Sequence, residues 1–267
     1  MKVMKQATLL LFGCAVAVLA PRPRTAHAQA GPPFLTNDPG TPGNANWEIN
    51  LASMQTITRG ASAYQAPQID LNFGVGDRVQ LTYEIPYVVG TSSGEPVQRA
   101  WSNAFPGLKW RFLDLGETGW QASVFPQVET AASRGAERAG IAEAGPRYLL
   151  PVEASRNFGP IAIDFEAGYY LPGHGPRERI FGFAAGRSFT ARLELDAELY
   201  DDRAWDAPPR SVTLDLGGRY KVATGVIALF MAGRSVNGFA HGQPEYMGYL
   251  GVQLLLSDYG RRFTAEP

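Results

Sequence analysis

The stretch QIDLNFGVGDRVQLTYEIPY, residues 68–87, alternates polar and apolar residues on both sides of a glycine turn. Ile69, Leu71, Phe73 and Val75 form one apolar row, which Val79, Leu81, Tyr83, Ile85 and Tyr87 continue after Gly76 and Asp77. Between them fall Gln68, Asp70, Asn72, Gln80, Thr82 and Glu84. A strand points successive side chains to opposite faces, so this is the pattern of a β-hairpin with one greasy and one wet face. A soluble barrel or sandwich buries the greasy face, whereas a membrane barrel turns it to lipid.

Outward from this hairpin, about twelve strand-like segments follow one another, near residues 46–58, 65–76, 78–89, 104–115, 118–131, 140–152, 160–172, 178–189, 191–202, 210–222, 225–236 and 246–256. Most are longer than the roughly five or six residues of a globular strand and match the about 9–11 that a tilted strand needs to cross a bilayer. Connections after even-numbered strands are short, as in GD (76–77), GET (116–118), TA (190–191) and AT (223–224), with EASRNFG (153–159) the exception. Those after odd-numbered strands are longer and more polar: GTSSGEPVQRAWS (90–102), ASRGAERAG (132–140), DDRAWDAPPR (201–210) and NGFAHGQPE (237–245). Outer-membrane barrels sort their connections in this way, with the short turns periplasmic. Pro86, Pro126 and Pro146 fall inside expected strands, the sixth strand has a weak outward row of Ala142, Ala144 and Pro146, and VIALFM in the eleventh is a continuous apolar run. Ten strands is the alternative count.

The expected fold is therefore all-β, a transmembrane antiparallel β-barrel with a polar lumen. About eight strands already define the widest barrel that side chains fill; a wider one must be lined with polar groups and turn its apolar rows to lipid. Candidate lumen-lining residues are Glu48, Asp70, Glu84, Lys109, Arg111, Glu129, Arg147, Asp164, Glu166, Arg192, Glu194, Asp196, Glu198, Asp215 and Arg219. Trp47, Tyr87, Trp101, Trp120, Tyr169, Tyr200, Trp205 and Tyr220 lie near strand ends, where interfacial aromatic girdles belong.

The N-terminus is separate. Lys2 and Lys5 precede the apolar run ATLLLFGCAVAVLA (7–20), and AHA (26–28) supplies small residues for cleavage after Ala28. This is the plan of a secretory signal peptide. Its removal leaves 20 of the 24 basic residues against 25 acidic ones, a net charge near −5, and takes away Cys14, the single cysteine. Disulfides and cysteine metal sites are thereby excluded from the processed chain. The expected organisation is a signal peptide (1–28), a Pro/Gly-rich periplasmic lead-in (29–46), the barrel (47–256) and a C-terminal extension (257–267).

Chemistry is sparse. His174 and His241, the histidines beyond the signal peptide, fall in expected outer loops. There is no HExxH, phosphate loop, Gly-x-Ser-x-Gly or calcium loop, so no catalytic residue, metal or cofactor is expected. In RLELDAELYDDR (192–203), Arg192, Glu194, Asp196 and Glu198 share one face. They form either an acidic ladder lining a pore or a salt-bridge network with Arg111, Arg147, Arg219 and Lys221. No basic patch or charged tail points to nucleic acid. The expected partners are outer-membrane lipid and a small-molecule solute, with oligomeric state open.

DPGTPG (38–43) followed by WEIN (47–50), YEIPY (83–87) and GLKWRF (107–112) resemble a proteobacterial family of outer-membrane proteins labelled phenol-degradation meta-pathway or transporter-like. The resemblance implies a small β-barrel with an uptake role, in some cases encoded near aromatic-degradation genes. It brings no catalytic residues. Such barrels end on a terminal aromatic, whereas here SDYGRRFTAEP runs past the last strand and Phe263 stops short of the end. The leading functional expectation is an outer-membrane channel or transporter for small molecules, including hydrophobic or aromatic ones, and not an enzyme. The alternatives are a lipid-modifying enzyme using His174 or His241, a structural barrel without transport, and a soluble secreted β-protein.

Overall fold

The computed structural model describes residues 31–116, 118–172, 178–204, 211–237 and 243–257. The strands are β1 (Trp47–Thr58), β2 (Ala61–Val75), β3 (Val79–Ser92), β4 (Gln98–Trp101), β5 (Phe105–Asp114), β6 (Trp120–Val124), β7 (Gln127–Glu129), β8 (Arg147–Phe158), β9 (Ile161–Pro172), β10 (Glu178–Ser188), β11 (Leu193–Ala204), β12 (Ser211–Ala223), β13 (Val226–Ser235) and β14 (Tyr246–Leu256). One short helix, α1 (Arg134–Arg138), follows β7. β4 and β5 both pair with β3, and β6 and β7 both pair with β8, so each couple forms one interrupted stave. The result is a twelve-stave antiparallel barrel, closed by β1 against β14 from Trp47↔Leu256 to Ile57↔Tyr246. Closure leaves no edge strand apart from the short β4 at the long-loop end, which pairs with β3 alone; lipid requires this because nothing there can pair an orphaned backbone group.

The proline interruptions have local causes. Pro126 has no N–H to donate and sits in the gap between β6 and β7, where its carbonyl accepts from Leu108 N at 3.0 Å and Phe125 N reaches Pro151 O at 3.1 Å. Pro86 stays in β3 opposite Gln68, beside a register shift between Gln65 and Gln68. Pro146 lies outside the sheet, because the sixth stave is not where its weak row of alanines put it. It runs from Arg147 to Phe158 and turns at 159–160, with Gly159 at φ 63°. EASRNF (153–158) is therefore strand, with exposed Tyr148, Leu150 and Val152 as the outward row. With that correction every turn at one end is short (76–78, 115–119, 159–160, 189–192, 224–225). At the other end the connections 130–146, 205–210 and 236–245 are longer, while 93–97 and 173–177 match the length of 115–119 and 59–60 is itself a two-residue turn.

The opening hairpin resolves its own question. Asp70, Asn72 and Gln80 are buried toward the lumen, while Leu81 and Tyr83 lie exposed on the outer wall. So do Leu51, Phe181, Leu216 and Leu250, the last 69 % exposed. The outer surface is apolar because lipid is its solvent. Aromatic couples mark it, with Tyr87 edge-on to Trp101 at 5.3 Å and Trp120 edge-on to Phe158 at 6.4 Å. Tyr200 departs from the girdle. It shares its face with Glu194, Asp196 and Glu198, which are buried, so alternation turns it inward. Trp205, His174, His241, Ala28 and Phe263 lie outside the described residues. Among the described residues no helix is long and apolar enough to cross a membrane, a test that does not concern strands.

Leu250 sits half-way along β14 on the lipid face. Leu250→Arg is expected to cost about 2–4 kcal/mol, read as reversible urea unfolding from phospholipid vesicles. An unchanged midpoint and slope would contradict a lipid-facing Leu250.

Candidate functional site

The segment preceding β1, expected as a periplasmic lead-in, does not stay below the barrel. It crosses the short-turn rim and folds up into the lumen. At the rim Ala45 N donates to Gly74 O at 2.9 Å and Gly74 N to Asn46 O at 3.0 Å, while Thr41 Oγ1 donates to Asp77 O at 3.0 Å. Gly74 is required there, since a Cβ would lie 1.8 Å from Gly43 O.

Deeper in, the segment has no strand or helix of its own, and the wall supplies its partners. Its N–H groups meet carboxylates. Leu35 N and Thr36 N donate to Glu198, and Asn37 donates to Glu166 from its backbone N at 2.9 Å and from Nδ2 at 3.2 Å. Its carbonyls meet cations. Lys109 Nζ donates to Asp38 O, and Arg219 Nη2 donates to Gly31 O at 3.1 Å and Pro32 O at 2.8 Å. The bonds from the Lys109 and Arg219 cations are charge-assisted and stronger than neutral ones. β10 makes room by lining the lumen with small residues. Gly182 is the tightest point, where a Cβ would come within 2.3 Å of Thr36 Oγ1. Phe34 is 5 % exposed and packs on Met54, Leu229, Met231, Met247 and Tyr249.

The acidic and basic residues expected in the lumen mostly arrive there, in three groups. On β1–β3, Asn50 Nδ2 bridges Glu48 (3.2 Å) and Asp70 (2.9 Å), and Gln68 Nε2 donates to Glu84 at 2.6 Å. Midway down, Lys109 pairs with Glu153 at 3.3 Å, both fully enclosed, and Ser123 donates to the same carboxylate. Toward the long-loop end Arg147 bridges Glu129 (2.6 Å) and Glu178 (2.8 Å) and stacks over Tyr170. Asp164 and Asp215 are buried, and Asp215 accepts from Thr213 at 2.8 Å.

The acidic row of β11 is divided rather than shared. Glu194 pairs with Arg219 at 3.1 Å, Glu198 holds the inserted segment, and Asp196 is buried with its Oδ2 unpaired among the described residues. Arg192 does not line the lumen. It lies exposed in the turn 189–192, where its backbone N and that of Leu193 bond to Thr190 Oγ1. Arg111 sits at the short-turn rim, donating to Asp77 O at 2.6 Å and lying 3.4 Å from Asp114. Sequence reasoning missed Glu153, whose alternation with Ser155 and Asn157 was legible, and the whole set on the inserted segment. Among the described residues no group of three or more His, Cys, Asp or Glu is arranged to hold a metal ion.

The inserted segment divides the lumen. A cavity of about 710 Å³ opens toward the long loops, lined by Thr56, Ser62, Gln65, Thr91, Gln98, Asn103 and Glu143 among others. A second, of about 450 Å³, lies at the short-turn end beside Arg111, Gln121, Ser155 and Asp164. A narrow cleft of about 170 Å³ runs between the segment and the β1–β3 wall.

Solved barrels share this architecture. An outer-membrane channel from Pseudomonas putida F1 superposes with a TM-score of 0.63 at 11 % identity, covering 82 % of this chain and 98 % of that one. This is an outer-membrane β-barrel fold. The KdgM porin (TM-score 0.54, 9 % identity, 78 % of this chain and 98 % of that one) and the NanC porin (0.53, 9 %, 77 % and 98 %) share it as well. No protein-family model and no curated protein matches the chain.

If Glu198 and Glu166 hold the segment, their loss frees it. Thr36→Cys is expected to react with a maleimide at least tenfold faster when combined with Glu198→Ala and Glu166→Ala. Equal rates would contradict the tethering.

Proposed function

We propose that the protein is an outer-membrane channel for small molecules, exported by a signal peptide cleaved after Ala28, with a lumen closed by its own N-terminal segment. The observation that carries this reading is that the three cavities adjoin one another along the lumen. The outer cavity and the cleft share Leu35, Met54, Gln68 and Glu84, while the cleft and the inner cavity share Asp38, Gly40 and Thr41. A line of adjoining spaces thus runs from the long-loop end to the short-turn end, with the segment closing it where they meet.

The chemistry of that line sets what it admits. Glu48, Asp70 and Glu84 border the cleft, against Lys109 and Arg219, and both of these cations already hold the segment's carbonyls. A low-dielectric wall focuses the field of such groups, so cations and neutral solutes are favoured over anions. The hydroxyls and amides of the outer cavity suit a solute with polar groups of its own. The family resemblance at DPGTPG and WEIN supports hydrophobic or aromatic compounds as cargo. An uncharged ring carrying a hydroxyl satisfies both.

In planar bilayers under a tenfold KCl gradient, the reversal potential is expected to show cation preference. Asp70→Asn with Glu84→Gln should move it toward zero. Anion preference, or silence even after residues 31–42 are deleted, would overturn the channel reading.

A further inference from the structure

Phe34 occupies a site unlike the rest of the lumen. Around it stand Met54, Leu229, Met231, Met247 and Tyr249, the one buried hydrophobic cluster among the described residues. The sequence has five methionines, two of which, Met1 and Met4, belong to the expected signal peptide. The other three all belong to this cluster. An aqueous lumen has no use for such a patch unless something apolar covers it. Methionine is unbranched and polarisable, so its thioether fits rings of differing shape and makes favourable contacts with their edges.

The seat also borders the solute path. Met54 and Leu35 line the outer cavity, and Phe34, Met54 and Tyr249 line the cleft. A solute descending from the long-loop end meets the seat before it meets the charged constriction. The tethers of the segment lie elsewhere, at Glu198, Glu166, Lys109 and Arg219, and contribute nothing to the recognition of a ring.

We propose that this seat is an aromatic-ring subsite of the channel, which Phe34 fills when no solute is present. A small neutral solute with an aromatic ring takes the position of the Phe34 side chain as the segment withdraws, so that occupancy and opening are linked. The inference rests on the channel reading for its meaning, but the seat is testable without conductance. Because the protein's own ring competes, apparent affinity in the native chain is reduced by the fraction of molecules in which the seat is vacant. Removing that ring leaves an apolar cavity of the kind that binds benzene.

The experiment uses the processed protein in lipid nanodiscs, labelled with ¹³C-methyl methionine, so that the three methyl signals all report the seat. Phenol is the probe and glycerol the control. In Phe34→Ala, phenol should shift all three signals saturably, with a Kd at least tenfold below that of the parent. Gly182→Val, which displaces Thr36 without touching the seat, should give a gain in the same direction. Unshifted methionine signals in both variants, equal Kd values in parent and variants, or the same shifts with glycerol would overturn the proposal. Saturable shifts in a barrel that never conducts would preserve the subsite and sink the channel. Conductance without shifts would do the reverse.

Discussion

Backbone groups that leave regular structure must find partners, and in this barrel the partners are acidic and basic side chains. Residues 31–38 bring N–H groups to Glu198 and Glu166, and carbonyls to Lys109 and Arg219. Each side solves the other's problem. Buried carboxylates and cations are costly unless hydrogen-bonded, and a non-helical, non-sheet chain in an enclosed lumen would otherwise strand its own polar groups. The lumenal charges of β5, β9, β11 and β12 thus partly line a polar lumen and partly form a socket for a segment.

The same exchange accounts for features that look unrelated along the chain. Twelve staves enclose more space than side chains fill, and the inserted segment takes up part of the difference. β10 gives way to it with small residues facing inward, and Gly182 lies against Thr36. β13 breaks the alternation with VIALFM because its lumen face carries Leu229 and Met231, which receive Phe34. An apolar side chain on the wet face is otherwise an error of patterning; here it marks the place where the lumen is dry.

The barrel was legible because alternation is a local property of each strand. The hairpin 68–87 carries it cleanly, and its two faces lie as the pattern implies. The sixth stave was displaced because Leu149, Leu150 and Pro151 interrupt the period just where the strand is strongest. The inward turn of Tyr200 followed from its parity with Glu194, Asp196 and Glu198, a signal outweighed by its position near a strand end. Arg192 has the parity of that row but lies in the turn just before β11, where parity no longer fixes direction. The inserted segment is a different case. PPFLTNDPGTPG has no period, and its deepest contacts fall on partners far along the chain, 129 residues away from Asn37 to Glu166 and 187 from Pro32 to Arg219. Nothing local encodes them.

The segment sits in the lumen, and a reversible cross-link that holds it there tests whether it closes the barrel. A Cβ at Gly182 would lie 2.9 Å from Thr36 Cβ, a little closer than the roughly 3.5–4.5 Å that a disulfide spans, and Cys14, the single native cysteine, falls in the expected signal peptide. Bilayer conductance of the Thr36→Cys, Gly182→Cys protein should be silent when oxidised and recover on adding reductant. Failure of the bond to form, or equal conductance with and without it, would contradict the account.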